Sequence, residues 1–218
     1  NYKEDSKKNL LDLIDSAGIA RTEVFAGDYL DEPQITIISP TRDFYESLLP
    51  KFRNKLNFHW ALEALEENSY SSKDDISDET TLSKTLDDAT DDTSAHNQSS
   101  IVFLLETDEK QKFLFTGDAG RDAFNHVPQT LLGKVKDVTW MKVPHHGSKH
   151  NLDSTIIKHV NPEIAYISTE KQGKYLNRST VFALKKNGTK VYSTSQNRST
   201  IRHGAIKTRE GWTKIEPM

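Results

Sequence analysis

Three of the chain's eight histidines fall within VPHHGSKH at 143–150. His145 and His146 follow an apolar stretch closed by Pro144, and Gly147 permits a turn tight enough to present both rings. Neutral imidazole is the commonest metal ligand and also carries protons near neutral pH. A second strand-like stretch, KFLFTGDAG at 112–120, ends in Gly-Asp and so places the Asp118 carboxylate on a strand end. Taken singly, that dipeptide reads as an ordinary turn. Beside two imidazoles, a carboxylate completes a donor set suited to zinc or manganese.

The elements that must position these residues follow from hydrophobic pattern. SIVFLLE (100–106) and KFLFTGD (112–118) read as a hairpin joined by TDEKQ, and DVTWMKV (137–143), EIAYIST (163–169) and KVYST (190–194) read as later strands. Helices are expected between them at 121–133, 154–160 and 179–188. Upstream, KKNLLDLIDSAG reads as an amphipathic helix stopped by Gly18, EVFAGDYL and QITIISP as strands, and DFYESLLPKF as a helix capped by Thr41. The ending IRHGAIKTREGWTKI reads as a final hairpin. Alternating helices and strands after a hairpin predict a layered α/β fold. His59, His126 and His159 fall on helical patterns and read as surface or boundary residues; Trp60, Trp140 and Trp212 read as packing residues.

Composition narrows the classes. Without cysteine the chain has no disulfide and no thiolate-bound metal. No apolar run approaches the length of a membrane span and no signal-peptide pattern begins the sequence, so no membrane partner and a cytoplasmic location are expected. Charge is unevenly spread: residues 68–98 hold eight acidic against two basic residues, a net of −6, and residues 171–218 hold eleven basic against two acidic, a net of +9. The basic end favours an anionic partner. The acidic stretch is rich in Ser, Thr and Asp, and is expected to be a mobile insertion within one domain over 1–218.

The series NQSSIVFLLE, FLFTGDAG, VPHHGSKHN and NRSTVFALKKNGTKVYST resembles the C-terminal half of metallo-β-lactamase-fold hydrolases, in particular the hydrolase domain of ComEC-type proteins. The likeness spans residues 97–205 well and 10–50 loosely. It implies part of a metallo-β-lactamase-like αββα sandwich, two divalent metal ions with zinc expected, and a phosphodiester or other anionic ester as substrate, such as nucleic acid or a nucleotide. It further implies that Asp118 bridges the metals and that one of the paired histidines is a ligand. His146 is taken as that ligand and His145 as the catalytic residue facing substrate, the reverse assignment remaining open. Asn97, Ser148 and Lys149 are candidate substrate contacts, Asn97 serving equally well as the end of an Asx-turn and Ser148 and Lys149 as part of a solvated turn.

Two departures accompany the likeness. The family's leading motif, His-x-His-x-Asp-His, occurs nowhere in the sequence. A two-metal centre needs several ligands, so an N-terminal half or a companion chain is expected to supply them. The rival expectation is a degenerate, non-catalytic interaction or regulatory subunit that keeps the fold. At KYLNRS, where the family pattern has Gly-His-Pro, this chain has Asn177 and Arg178.

Overall fold

The computed structural model describes residues 10, 12–53, 79–169, 176–195, 199–200, 207 and 210–218. Its centre is a seven-stranded sheet in sequential order: β1 (Tyr29–Leu30), β2 (Ile35–Ser39), β3 (Val102–Glu106), β4 (Lys112–Phe115), β5 (Trp140–Lys142), β6 (Ile164–Ile167) and β7 (Lys190–Ser193). Strands β1 to β4 pair antiparallel, and β4 to β7 pair parallel. The expected hairpin is present, with Phe103 opposite Phe115 and Leu105 opposite Phe113. The change to parallel pairing after β4 requires crossovers, and helices supply them.

The helices are α1 (Arg42–Arg53), α2 (Glu79–Asp87), α3 (Ala95–Gln98), α4 (Arg121–Asn125), α5 (Gln129–Leu132), α6 (Ser154–Val160) and α7 (Arg178–Lys186). Local chemistry fixes several ends. Thr41 caps α1 by accepting the Phe44 N–H at 3.2 Å, as the sequence predicts. Asp153 caps α6 through the Ile156 N–H at 2.7 Å, and the helix stops at Asn161 in a left-handed conformation. Near the N-terminus, residues 12–16 are helical and Gly18, at φ +66°, ends that turn.

Strand alternation divides the sheet into two faces. Val102, Leu104, Leu114, Met141, Ala165, Ile167 and Val191 point into one core together with Phe44 and Leu48 of α1, Leu86 of α2, Phe124 of α4 and Leu184 of α7. The opposite face carries an aromatic row: Phe103, Phe115, Phe113, Trp140, Tyr166 and Tyr192, with neighbouring ring centroids 4.6 to 5.7 Å apart. None of these six rings belongs to the helix-side core. Trp140 is thus a packing residue in this row, while Trp60 and His59 lie outside the described residues.

Two expectations change, and a third falls largely outside the described residues. Of EVFAGDYL only Tyr29–Leu30 is strand, because Gly27 at φ +100° and the Phe25 N–H bonded to the Asp28 carboxylate turn the chain before it. Of the expected final hairpin over IRHGAIKTREGWTKI, residues 201–206 and 208–209 lie outside the described residues; β8 (Ser199–Thr200) pairs parallel with β9 (Thr213–Lys214). Residues 79–98 are not a segment with nothing to bury: α2 and α3 form there, and Leu86, Ala95 and Gln98 are buried. Residues 68–78 lie outside the described residues.

The two faces should respond differently to truncation. Leu104→Ala removes a fully buried side chain and is expected to cost about 2–5 kcal/mol. Phe103→Ala, one residue earlier on the partly exposed aromatic face, is expected to cost roughly half as much. Urea unfolding of the two variants checks the contrast.

Candidate active site

Both sequence motifs lie at the carboxyl ends of neighbouring parallel strands, where α/β sheets usually build their sites. The TGD turn leaves β4 and the PHHG turn leaves β5. They adjoin through the backbone, the His145 N–H donating to the Gly117 carbonyl at 3.3 Å. Thr116, fully buried, locks the first turn by donating its hydroxyl to the Lys142 carbonyl at 2.6 Å. Gly117 has φ +53°, and a Cβ there would stand 2.9 Å from Cβ of Ser100. Ser100 in turn accepts the Asp118 N–H at 3.2 Å, so the segment entering β3 is bound to the same edge.

Pro144–Gly147 form a tight turn in which three consecutive residues are left-handed: His145 at φ 41°, His146 at φ 57° and Gly147 at φ 89°. Only Gly147 adopts this conformation without steric cost. Such strain is characteristic of sites where orientation matters more than local stability. Gly147 also packs tightly, since an added Cβ would lie 3.3 Å from both Ile167 and Leu176. The His146 Nδ1 is 2.6 Å from the Ser168 carbonyl. A carbonyl only accepts, so Nδ1 carries the proton and Nε2 is the lone-pair nitrogen of the neutral ring. The two imidazole centroids are 6.0 Å apart.

His145 meets a carboxylate that sequence reasoning passed over. Asp92 Oδ2 is 3.3 Å from its Nδ1, and the side chains are 10% and 17% exposed for Asp92 and His145. Oδ2 also accepts from the amides of Asn97 at 2.8 Å and Asn151 at 2.9 Å, while Oδ1 accepts the Ser94 N–H at 2.8 Å. Burial by itself would raise the Asp92 pKa. The bonds from His145, Asn97, the Ser94 backbone and Asn151 outweigh it and hold the carboxyl below its ordinary value. Asn151, fully buried, reaches further, donating to the Asp118 carbonyl at 3.1 Å. Asn97 therefore belongs to the site, and Asn151 joins Asp92 to the TGD turn.

The other predicted residues have definite places. The Asp118 carboxylate lies 3.5 Å from the Lys142 ammonium, which also donates to the Gly117 carbonyl. Burial lowers the Lys142 pKa despite this attraction. Ser148 is buried, and its hydroxyl accepts the His150 N–H at 3.2 Å, a role inside the turn. Lys149 gives its carbonyl to Arg121. Asn177 caps α7 through the Ser179 N–H at 2.9 Å and donates its own N–H to the Gly147 carbonyl, so the altered KYLNRS sequence abuts the histidine turn. His126 and His159 bond to the backbone carbonyls of Asp122 and Leu132, consistent with structural roles.

Arg121 holds the acidic segment in place. Its guanidinium donates to the carbonyls of Leu86, Ala89, Lys149 and Leu152 and pairs with the Asp91 carboxylate at 3.0 Å. Gly120 makes room beside it, because any Cβ there would collide with the Gln98 amide, which is bonded to the Asp92 carbonyl and the Ala123 N–H. Asp92 is one of eight acids in a polar stretch, and contacts with His145 and Asn151, 53 and 59 residues away, give it its place.

With this arrangement in view, the comparisons with known proteins become informative. The chain is similar to ComE operon protein 3 of Bacillus subtilis (strain 168). Identity is 30% over 128 residues, covering 58% of this chain. The chain spans 16% of the length of that curated relative. No family model and no solved structure matches it.

The two-metal centre that the resemblance implies calls for several donors around its ions. Among the described residues no group of three or more His, Asp or Glu side chains stands where it could hold one ion. The donors described here do not by themselves fit such a centre. Among those residues, too, no helix is long and apolar enough to cross a membrane.

Two stability effects follow. Arg121→Met leaves buried carbonyls and Asp91 without their donor and is expected to cost about 3–5 kcal/mol, with Arg121→Lys recovering only part because it lacks the planar fork. The depressed Asp92 pKa contributes stability that is complete above the unfolded carboxylate value of about 3.9. That contribution disappears as pH falls through the lower folded value. Acid unfolding of wild type and Asp92→Asn, followed by circular dichroism, should show a shallower acid limb in the variant.

Proposed function

We propose that this chain is the C-terminal part of a metal-dependent hydrolase with a metallo-β-lactamase-like αββα sandwich, acting on a phosphodiester or another anionic ester. The chief support is the shared sheet edge: the TGD and PHHG turns adjoin, and strained backbone presents two imidazoles whose Nδ1 atoms face Asp92 and the Ser168 carbonyl. In this reading Asp118 and His146 are metal ligands for two divalent ions, zinc foremost, and bound metal would supply Lewis acidity and an activated water. His145, backed by Asp92, moves the proton. Asn97, Ser148 and Lys149 border the substrate, and the basic C-terminal stretch attracts it, whether nucleic acid or nucleotide.

The missing donors, a His-x-His-x-Asp-His set, would come from an N-terminal half or companion chain. The aromatic row supports that arrangement, because a second sheet laid on it would bury Phe103, Phe115, Trp140, Tyr166 and Tyr192 and complete the sandwich. The short span of the relative that this chain matches is compatible with such an extension. One observation favours the rival reading of a non-catalytic interaction or regulatory subunit: Lys142 already neutralises Asp118.

Zinc content and hydrolysis separate the two. The 218-residue chain alone is expected to hold zinc weakly, and a longer protein including the upstream sequence to hold about two ions per chain and cleave a generic phosphodiester. Asp118→Asn or His146→Gln in that protein should remove most of the metal, as read by elemental analysis. A longer protein that stays metal-free and inert would leave the interaction-subunit reading in place.

A further inference from the structure

The hydrogen-bond geometry at His145 admits two arrangements, and they assign opposite chemistry to the ring. Its Nδ1 lies 3.3 Å from Asp92 Oδ2 and also 3.3 Å from the Asn97 amide nitrogen. If Asn97 donates to Nδ1, the proton sits on Nε2, and that nitrogen can neither accept a proton nor bind a cation. If Nδ1 donates to Asp92, Nε2 carries the lone pair.

We propose that Asp92 is a positioning residue that fixes His145 with its proton on Nδ1, so that Nε2 offers its lone pair to a proton or a borderline divalent cation. Three observations carry this. First, the Asn97 amide makes its shorter, charge-assisted bond to Asp92 Oδ2 at 2.8 Å, and its second N–H offers His145 Nδ1 only a longer, neutral one at 3.3 Å. Second, an unprotonated Nδ1 would set its lone pair 3.3 Å from a carboxylate oxygen, whereas a protonated Nδ1 makes a charge-assisted bond there. Third, Asp92 cannot swing away: Ser94, Asn97 and Asn151 donate to its two oxygens, and its own N–H donates to the His150 carbonyl at 3.1 Å. Its segment is in turn fastened by Arg121 through Leu86, Ala89 and Asp91.

The consequence is that the two adjacent imidazoles are matched. His146 keeps its Nδ1 proton on the Ser168 carbonyl and His145 keeps its own on Asp92, so both present Nε2 as the nucleophilic nitrogen. The acidic insertion thereby contributes to the site, delivering the group that decides which nitrogen of His145 carries the proton. The use of that nitrogen as base or ligand rests on the hydrolase reading; the tautomer does not.

The test is a long-range proton–nitrogen correlation spectrum of the histidine rings in the 15N-labelled, metal-free 218-residue chain. It is recorded roughly two pH units above the ordinary imidazole value of about 6.5, so that the rings are neutral. His145→Gln and His146→Gln identify the signals. In wild type both rings should show a protonated Nδ1 and a bare Nε2. In Asp92→Ala the His145 pattern should invert, with Asn97 now donating to Nδ1, while His146 keeps its pattern and reports that the sheet edge is intact. Asn97→Ala should leave His145 unchanged, which keeps the question decidable if Asp92→Ala does not fold. A wild-type His145 protonated on Nε2 overturns the proposal, as does inversion in Asn97→Ala or an unchanged His145 in folded Asp92→Ala. Failure of the hydrolase reading would appear instead as absent metal and activity in the longer protein.

Discussion

The Arg121 guanidinium reaches five oxygens, four of them backbone carbonyls, on two segments that no secondary structure joins. One segment runs from Leu86 to Asp91 and the other from Lys149 to Leu152. Because a guanidinium has five N–H groups in a rigid plane, it can satisfy this set at once, and a more flexible cation cannot. Asp92 and Asn151, next in sequence to or within these segments, then meet at a 2.9 Å bond. The position of the Asp92 carboxylate thus depends on the two segments that Arg121 holds together.

The sheet sets the remaining geometry. Its change from antiparallel to parallel at β4 aligns the exits of β4, β5 and β6 on one edge, so the TGD turn, the histidine turn and Ser168 become neighbours. The antiparallel β3 begins at that edge, which is how Ser100 reaches Asp118. One face of the strands anchors the helices, leaving the loops free to carry chemistry without disturbing the core.

Much of this was legible in the sequence wherever the signal is local. Alternation located β3 to β7, the Thr41 cap and the Gly18 stop follow from local end chemistry, and the Asp118 and His145–His146 turns are short motifs recognisable within a few residues. What was not legible depends on distant partners. Asp92 acquires its role from residues 53 and 59 positions away, and Arg121 from residues 28 to 35 positions away. Composition also misled: a stretch averaging polar and acidic conceals Leu86 and Ala95, whose burial anchors it.

The left-handed histidine turn places folding and chemistry in opposition. At φ 41° and 57°, His145 and His146 occupy backbone that glycine would adopt without penalty, each non-glycine residue there costing on the order of 1 kcal/mol. Backbone strain taken alone would therefore favour glycine substitutions at both positions, against the bonds to Asp92 and the Ser168 carbonyl that the imidazoles make. Any stabilised variant of this protein should be screened for them first, since the substitutions that most relax the turn are those that delete its nitrogen donors.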